Sequence, residues 1–337
     1  MTHRVFGILW SGMLRASIQF LALAGFSWTS ACGAGSGHAP SALRAPTAQP
    51  APPGVPKGNI MASGHDNAEL LKDACSNGLG DACDELRAMC DRNDVHACAW
   101  LAELLTEGKA VPRDLEAAFA LFNRACHARL IPACVQVGIA YERGLGVPLN
   151  LAKAMEMFLR SCSEGQEYGC FDAAMVYRDQ MKDAKSSVPF FDKGCQLHYA
   201  DSCVGLGIAY EEGRGVVADL PRAASLYDQG CTRGSALGCD RLARLLVDAR
   251  GVPADYPRAR TLSEAGCRGE YADGCYIHGY LLREGLGGQK DPVKGKAFID
   301  EACRLGSARA CGDARHLQRA RAKDQRRDGG AHPNAAE

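Results

Sequence analysis

The sequence predicts an all-α fold, a solenoid of antiparallel helix pairs that repeats about every 36 residues. Of its 17 cysteines, sixteen fall into eight pairs of the form C-x7-C. From Cys90 onward, the first members of the pairs follow one another at steps of 36, 36, 33, 36, 36 and 36 residues. Self-similarity at such a period is typical of stacked supersecondary units. The spacing pairs Cys75 with Cys83, Cys90 with Cys98, Cys126 with Cys134, Cys162 with Cys170, Cys195 with Cys203, Cys231 with Cys239, Cys267 with Cys275 and Cys303 with Cys311.

Residues 1–31 have the features of a signal peptide. Arg4 and Arg15 supply positive charge, residues 18–26 form a short apolar run, and the first acidic residue is Asp66. The run is shorter than the roughly 20 residues that a membrane-spanning helix needs. Translation from Met13 would give a more compact signal of the same kind. The segment therefore predicts export.

Cys32 is the predicted site of lipid attachment. Residues 29–33 (Thr-Ser-Ala-Cys-Gly) resemble a bacterial lipobox, the motif in which the cysteine becomes the lipidated first residue of the mature protein. Thr29 departs from this motif, because an aliphatic residue is usual there. The alternative is ordinary secretory cleavage, which would leave Cys32 as a spare thiol. Residues 32–66 are rich in Gly, Ala, Ser and Pro, and this composition predicts a flexible tether.

The residues after the second cysteine of each pair predict a first helix, which we call helix A. Apolar residues recur three and seven places after that cysteine, as on one face of a helix. The helix is expected to end at a glycine-containing turn, such as residues 144–146 or 213–215, because glycine readily adopts the left-handed conformation of a helix end. The residue four places after the cysteine is always small, and a small residue lets another helix approach closely. These residues are Ala102, Gly138, Ala174, Gly207, Ala243 and Gly279.

A second helix, helix B, is predicted between that turn and the next cysteine pair. An N-cap residue stands sixteen places after the cysteine, and its side-chain oxygen can accept from the free N–H groups of the first helical turn. These residues are Asp114, Asn150, Asp219, Asp255 and Asp291. Helix B closes on the first cysteine of the following pair. Each C-x7-C segment therefore joins the end of a helix B to the start of the next helix A.

Such a short connection can bring two Cα atoms within about 4.4–6.8 Å, as a disulfide requires. The spacing predicts eight local disulfides, each worth roughly 2–3 kcal/mol in the chain-entropy model. Metal binding is an alternative, although zinc sites favour the shorter spacing C-x2-4-C. Pairing between distant cysteines is a second alternative, because a cysteine count does not determine connectivity.

Two places depart from the repeat. The unit from Cys170 to Cys195 lacks three residues where the glycine turn would be, so a tighter turn is expected there. At the other place only six residues separate Cys83 from Cys90, too few for two helices. Residues 67–98 are therefore predicted to form an atypical capping unit, in which a Cys83–Cys90 bond is an alternative pairing. A polar last helix over residues 311–322 is expected to cap the other end. Residues 318–337, which overlap the end of this helix, are predicted to form a frayed polar tail.

The repeat resembles the Sel-one-like repeats, relatives of the tetratricopeptide repeats. The resemblance rests on the unit of about 36 residues, on G-x-G-V-x-x-D between its helices and on the A-C that closes it, and it covers residues 67–317. The C-x7-C spacing is similar to that of exported, cysteine-rich bacterial members. The resemblance implies a right-handed superhelix that serves as an adaptor or binding surface. Members of this group are also often catalogued as beta-lactamases or penicillin-binding proteins.

The sequence offers no catalytic motif. The serine beta-lactamase signature S-x-x-K is absent, as are H-E-x-x-H, G-x-S-x-G and a P-loop. We therefore expect no catalytic residue, cofactor or metal, with beta-lactamase or penicillin-binding activity as the alternative that the family resemblance implies. The 39 basic and 39 acidic residues balance, which argues against a nucleic-acid partner.

The predicted binding surface is a groove lined by helix A. If the packing resembles that of tetratricopeptide repeats, the residues two, five and nine places after each second cysteine face it. The alternative is an ordinary solvated face. As a groove, this surface would mix aromatic side chains with both signs of charge, as interfaces do. Its candidate residues are Trp100, Glu103, Gln136, Asp172, Arg241, Arg244 and Tyr280.

The leading hypothesis is a non-catalytic interaction module, either an outer-membrane lipoprotein or a periplasmic or secreted protein. Its expected partner is a protein, a peptide or cell-wall material, and it would meet a membrane only through a lipid anchor. A structural spacer without a partner is a further alternative.

Overall fold

The structure, a computed structural model, describes residues 64–313, and their side chains from residue 67 onward. The predicted signal peptide, Cys32, most of the tether and the polar tail lie outside the described residues. The described part contains fourteen α-helices and one π-helical segment and has no strand, which confirms the all-α prediction. Residues 308–313 begin a further helix. None of the described helices is long and apolar enough to cross a membrane.

The helices follow one another as a cap and six A/B pairs. The cap comprises α1 (Gly64–Ser76) and α2 (Gly80–Asp91). The A helices are α3 (Val95–Glu107), α5 (Ile131–Arg143), α7 (Glu167–Met175), α9 (Ala200–Glu212), α11 (Ala236–Val247) and α13 (Ala272–Glu284). The B helices are α4 (Leu115–His127), α6 (Leu151–Ser163), α8 (Ala184–Gln196), α10 (Leu220–Thr232), α12 (Tyr256–Arg268) and α14 (Pro292–Arg304). Each helix packs on the helices before and after it, so the array is a repeat solenoid.

The B helices begin at the predicted N-cap residues. In each case a carboxylate or amide oxygen accepts a hydrogen bond from the backbone N–H three residues later, over 2.9–3.0 Å. Asp183 caps α8 in the same way, although its unit is three residues shorter. The cap satisfies one of the N–H groups that a helix leaves without a partner in its first turn.

The eight predicted disulfides are formed, and all of them are local. The two Cα atoms of each bond lie 4.3–4.8 Å apart. Neither pairing between distant cysteines nor binding of metal by free thiolates is therefore found among these sixteen residues. The bonds join Cys75 to Cys83, Cys90 to Cys98, Cys126 to Cys134, Cys162 to Cys170, Cys195 to Cys203, Cys231 to Cys239, Cys267 to Cys275 and Cys303 to Cys311.

The alternative pairing of Cys83 with Cys90 does not occur. Both cysteines lie on α2, from which Cys83 bonds to Cys75 on α1 and Cys90 bonds to Cys98 on α3. The cap is thus joined to the array by the same type of bond as every other neighbouring unit.

The short unit differs from its neighbours in how helix A ends. After α7 the chain widens into the π-helical segment Val176–Gln180, and Lys182 adopts a left-handed conformation with φ 57°. The N–H of Asp183 then donates to the carbonyl of Tyr177 over 2.8 Å. The turn is shorter, as expected, but the chain reaches its N-cap residue through the π-helix rather than through a tightened glycine turn.

The small residues at the fourth place lie where two helices come closest. A Cβ added at Gly279 would lie 2.7 Å from the carbonyl oxygen of Gly295 on α14. At Gly138 it would lie 2.5 Å from the ring of Phe158, which is fully buried. Each A helix therefore packs directly on the following B helix at this place.

The second glycine of the G-x-G turn connects neighbouring pairs. Gly146 has φ +69°, and a Cβ there would lie 2.0 Å from the carbonyl oxygen of Leu115, the first residue of the preceding B helix. The turns ending at Gly215 and Gly287 make the same approach to Ala184 and Tyr256. The glycine is required by its backbone conformation and also by this close packing.

Replacing Gly146 with alanine should therefore destabilise the array by about 2–4 kcal/mol, since positive φ and overpacking act together. The matched control is Gly165→Ala, because Gly165 has φ +83° but no atom lies within 4 Å of its added Cβ. The control should cost only about 1–2 kcal/mol. Urea unfolding followed by circular dichroism measures both, and equal losses would show that the packing contact contributes nothing.

Candidate interaction surface on the A helices

The seven predicted groove residues do not share one environment. Gln136, Arg241, Arg244 and Tyr280 are half-buried, but Trp100, Glu103 and Asp172 are buried. Trp100, which was predicted to line the groove, is therefore buried and presents almost no surface there. The reason is Lys72 on the cap helix α1, whose Nζ lies 4.1 Å from the Trp100 ring centroid and 2.6 Å from a carboxylate oxygen of Glu103.

The Lys72–Trp100–Glu103 cluster occupies the N-terminal part of the predicted groove and covers it. Burial raises the pKa of Glu103, and the charge of Lys72 acts against this rise. A cation over an aromatic ring and a buried ion pair hold α1 against α3. The contacts among these three residues stabilise the packing of the cap on the first repeat. Trp100 is 7% exposed and offers almost no surface to a partner.

The C-terminal part of the surface carries a cluster of cations around one carboxylate. We call Glu211, Arg241, Arg244 and Arg250 the arginine cluster. Arg244 Nη2 and Arg250 Nη1 lie 3.1 and 3.5 Å from Glu211 Oε1, and Arg241 Nη1 lies 3.5 Å from Oε2. Glu211 is on α9, Arg241 and Arg244 are on α11, and Arg250 lies in the turn that follows. The cluster therefore spans two neighbouring repeats.

Tyr227 on α10 completes the surroundings of the carboxylate, because its hydroxyl donates to Glu211 Oε2 over 2.6 Å. Burial by itself would raise the pKa of Glu211, but the hydrogen bond from Tyr227 and the three arginine charges outweigh it and lower the pKa. The pKa of Tyr227 is raised by its burial and by the neighbouring carboxylate. Glu211 is thus ionised and Tyr227 neutral at physiological pH.

The arginine cluster retains exposed positive charge. The Glu211 side chain is only 6% exposed, while those of Arg241, Arg244 and Arg250 are 25%, 25% and 46% exposed. Three positive charges face one negative charge, and within residues 67–313 these arginines form no other ion pair.

Two of the four charged members of the cluster are among the groove residues predicted from the sequence. Arg241 and Arg244 stand at the second and fifth places of helix A and lie together as predicted. Glu211 stands at the eighth place, which is not among the places predicted to face the groove, and was missed. The sequence does contain a signal for this position. The eighth place is charged in other repeats too, at Glu142, Arg178 and Arg283, although an apolar core position would not be.

Asp240 is the most buried carboxylate near the cluster, at 5% exposure. Its Oδ1 has no hydrogen-bond partner within the described chain. Burial raises the pKa of Asp240 to about 6, and the charge of Asp273 adds to the rise while Arg244 and Arg241 act against it. Its ionised form is thus costly in the fold.

A serine and a histidine meet on the C-terminal repeats, but not as a nucleophile and its base. Ser263 Oγ lies 3.4 Å from His278 Nδ1, and both residues are buried. The carbonyl of Arg260 accepts from Ser263 Oγ over 3.1 Å and lies 3.1 Å from His278 Nδ1. Nδ1 therefore carries the proton towards this carbonyl and is not available to accept one from the serine.

The cysteines offer no metal site. All sixteen of those described are in disulfides, so none is available as a thiolate ligand. Among residues 67–313, no group of three or more His, Cys, Asp or Glu side chains is arranged to hold a metal ion.

A crevice of about 280 Å³ lies between the B helices α8 and α10. Arg233 at its edge donates to the Cys195 carbonyl over 2.8 Å and to Gln229 over 3.4 Å. These bonds hold the guanidinium against the neighbouring disulfide between Cys195 and Cys203.

The capped helix pairs and their glycine turns define an α-solenoid built from a short helical repeat. The Sel1 repeat family matches residues 95–129, 131–166, 200–235, 236–270 and 272–307. These segments make up more than half of the chain, and the chain belongs to the Sel1 repeat family. They leave out residues 167–199, the unit that contains the π-helix.

Solved structures share this fold. A protective antigen of uropathogenic Escherichia coli with an SLR fold is 24% identical, with 74% of this chain and 59% of that chain covered and a TM-score of 0.63. The present chain thus spans about three fifths of that structure's length. A Sel1 repeat protein from Oxalobacter formigenes is 19% identical, with 71% and 99% covered and a TM-score of 0.64. Among curated proteins, none matches the chain.

The pKa of Asp240 is about 6 in the folded chain and is lower in the unfolded chain, where the carboxyl is solvated. The free energy of unfolding should therefore fall as the pH rises from about 4 to about 6, because the folded state opposes ionisation of Asp240. Replacing Asp240 with asparagine should stabilise the array by about 1–3 kcal/mol at neutral pH, and by much less near pH 4. The control is Asp84→Asn, because the Asp84 side chain is 77% exposed. Thermal unfolding of each variant at both pH values measures the effect, and a gain at neutral pH no larger than that near pH 4 would contradict it.

Proposed function

We propose that the protein is an exported, non-catalytic scaffold that binds a protein partner along its A helices. Sel1 repeats generally form scaffolds for protein–protein interaction, and this chain belongs to that family. The observation that carries the proposal is the row of fifth-place side chains on successive A helices, which are half-buried rather than covered: Ile139, Met175, Ile208, Arg244 and Tyr280.

The packing of the A helices supports a continuous surface. In the C-terminal repeats α9 packs on α11, and α11 packs on α13. Fifth-place residues of neighbouring repeats therefore follow one another across the helices. This row combines apolar side chains with a cation, and such mixtures are typical of protein interfaces. We call this row the A-helix surface.

Export is supported by the disulfides, because eight of them fit an oxidising compartment outside the cytoplasm. We further propose that Cys32 carries a lipid that anchors the protein to the outer membrane. The support for this anchor is the lipobox-like run around Cys32. A periplasmic or secreted form without the lipid is the alternative.

Partner binding is tested with a photo-cross-linking amino acid at Ile208 in cells that express the full chain. A discrete cross-linked protein is expected, because Ile208 lies on the A-helix surface. The control position is Lys193, which is exposed on the B helix α8. Equal cross-linking at both positions, or none at Ile208, would overturn the proposal.

A non-catalytic scaffold should not hydrolyse nitrocefin. The purified, oxidised protein is expected to give the same rate as heat-denatured protein. Turnover that a single point substitution abolishes would show that the chain is a beta-lactamase instead.

Lipid attachment predicts that Cys32→Ser abolishes incorporation of labelled palmitate and moves the protein from the membrane fraction to the soluble fraction. Ser36→Ala, four residues further on, should change neither result. Palmitate incorporation that survives the loss of Cys32 would place the lipid elsewhere.

A further inference from the structure

We propose that the arginine cluster binds an acidic segment of the partner polypeptide, one whose carboxylates are flanked by apolar side chains. This inference rests on the proposed function and specifies its partner. The arginine cluster offers donors that the fold does not use, at a place where the neighbouring repeats expose apolar side chains.

The number of donors exceeds the number of acceptors. Each guanidinium has five N–H donors, whereas the Glu211 carboxylate has two oxygens, one of which also accepts from Tyr227. Arg244 Nε is buried and has no hydrogen-bond partner in the described chain. The side chains of Arg241, Arg244 and Arg250 are 25%, 25% and 46% exposed, so their remaining N–H donors can serve a second carboxylate, which arginine binds in a bidentate manner.

Glu211 gives the cluster its geometry. Its carboxylate is buried, ionised and held by the Tyr227 hydroxyl, so the arginines collect around a position that the fold determines. Ordering long side chains costs conformational entropy, and here this cost is met on folding rather than on binding. Asp240 adds a second negative charge near Arg241 and Arg244 when it is ionised, so the cluster keeps a smaller net positive charge, carried by arginine side chains that are 25–46% exposed.

The neighbouring repeats define the rest of the ligand. Ile208 on α9 and Tyr280 on α13 are half-buried at the same place as Arg244, one repeat to either side. A segment that crosses these helices would meet an apolar side chain, the arginines and then an aromatic ring. This order fits a short peptide with central acidic residues and apolar neighbours.

The charge of the whole chain favours a short acidic segment over a polyanion. Acidic and basic residues are equal in number, so the chain has no net positive charge, and the cations of the cluster come from three arginines on α11 and the turn after it. Nucleic acids bind through many phosphate contacts over a long basic track. A peptide with one or two carboxylates needs only the donors that are present.

The test measures binding of a fluorescent peptide with two central glutamates flanked by leucines and with both ends blocked. Fluorescence anisotropy with the full, oxidised chain should show binding at least about tenfold tighter than that of the same peptide with glutamines. The double variant Arg241→Gln/Arg244→Gln should remove this difference. The control is Arg258→Gln, because Arg258 on the B helix α12 is also ion-paired, to Asp228 over 2.6 Å, and should change nothing.

A second variant separates binding from folding. Glu211→Gln removes the internal negative charge but keeps the shape of the side chain and an amide oxygen that can still accept from the arginines, so the cluster stays in place and binding of the glutamate peptide should tighten severalfold. A purely structural cluster would instead respond with weaker binding in both Glu211→Gln and the arginine variant. Equal weakening in the two, or equal affinity of wild type for the two peptides, would overturn the inference.

Two further measurements assign the ligand. Inorganic phosphate should compete no better than chloride at equal ionic strength, and efficient competition by phosphate would show a general anion site and overturn the peptide assignment. The photo-cross-link at Ile208 should be lost in the arginine double variant. If that cross-link persists at full strength, the inference fails while the proposed scaffold function stands.

Discussion

The disulfides that join consecutive helices across the C-x7-C turns are the constraint on which the architecture depends. Eight such bonds join neighbouring helices across turns of the same length, from the bond of Cys75 to Cys83 in the cap to that of Cys303 to Cys311 at the last described turn. In a solenoid, stability is close to a sum of local terms, because each repeat touches only its neighbours. The bonds add to these terms at the junctions between pairs, while the A–B turns inside each pair are held by packing and capping alone.

Most of the fold could be predicted because its determinants are local or recur with the repeat. The cap at Asp219 acts within three residues of its own position. The glycine turn before it and the small Gly207 contact Ala184 and Tyr227 on other helices, but each recurs at a fixed place in the repeat and could be predicted for that reason. The π-helical segment could not be predicted. A deletion of three residues can be accommodated in several ways, and the outcome depends on packing such as that of Tyr177 on the ring of Phe190, 5.4 Å away.

The candidate site was predictable only where it is carried by one helix. Arg241 and Arg244 lie one turn apart on α11, so the helical period places them together. Glu211 joins them from the previous repeat, and this contact depends on how the two repeats stack. The burial of Trp100 has the same origin, since Lys72 reaches it from the cap helix and not from its own repeat.

The position of the disulfides also determines how the protein responds to a protease. A cut within any C-x7-C segment, for example beside the left-handed Arg129, leaves its two ends joined through Cys126 and Cys134. A cut in an A–B turn such as residues 144–150 has no such bridge across it. Outside the cytoplasm, where peptidases are abundant and thiols are oxidised, eight of the fourteen connections between the described α-helices can thus be nicked without release of a fragment.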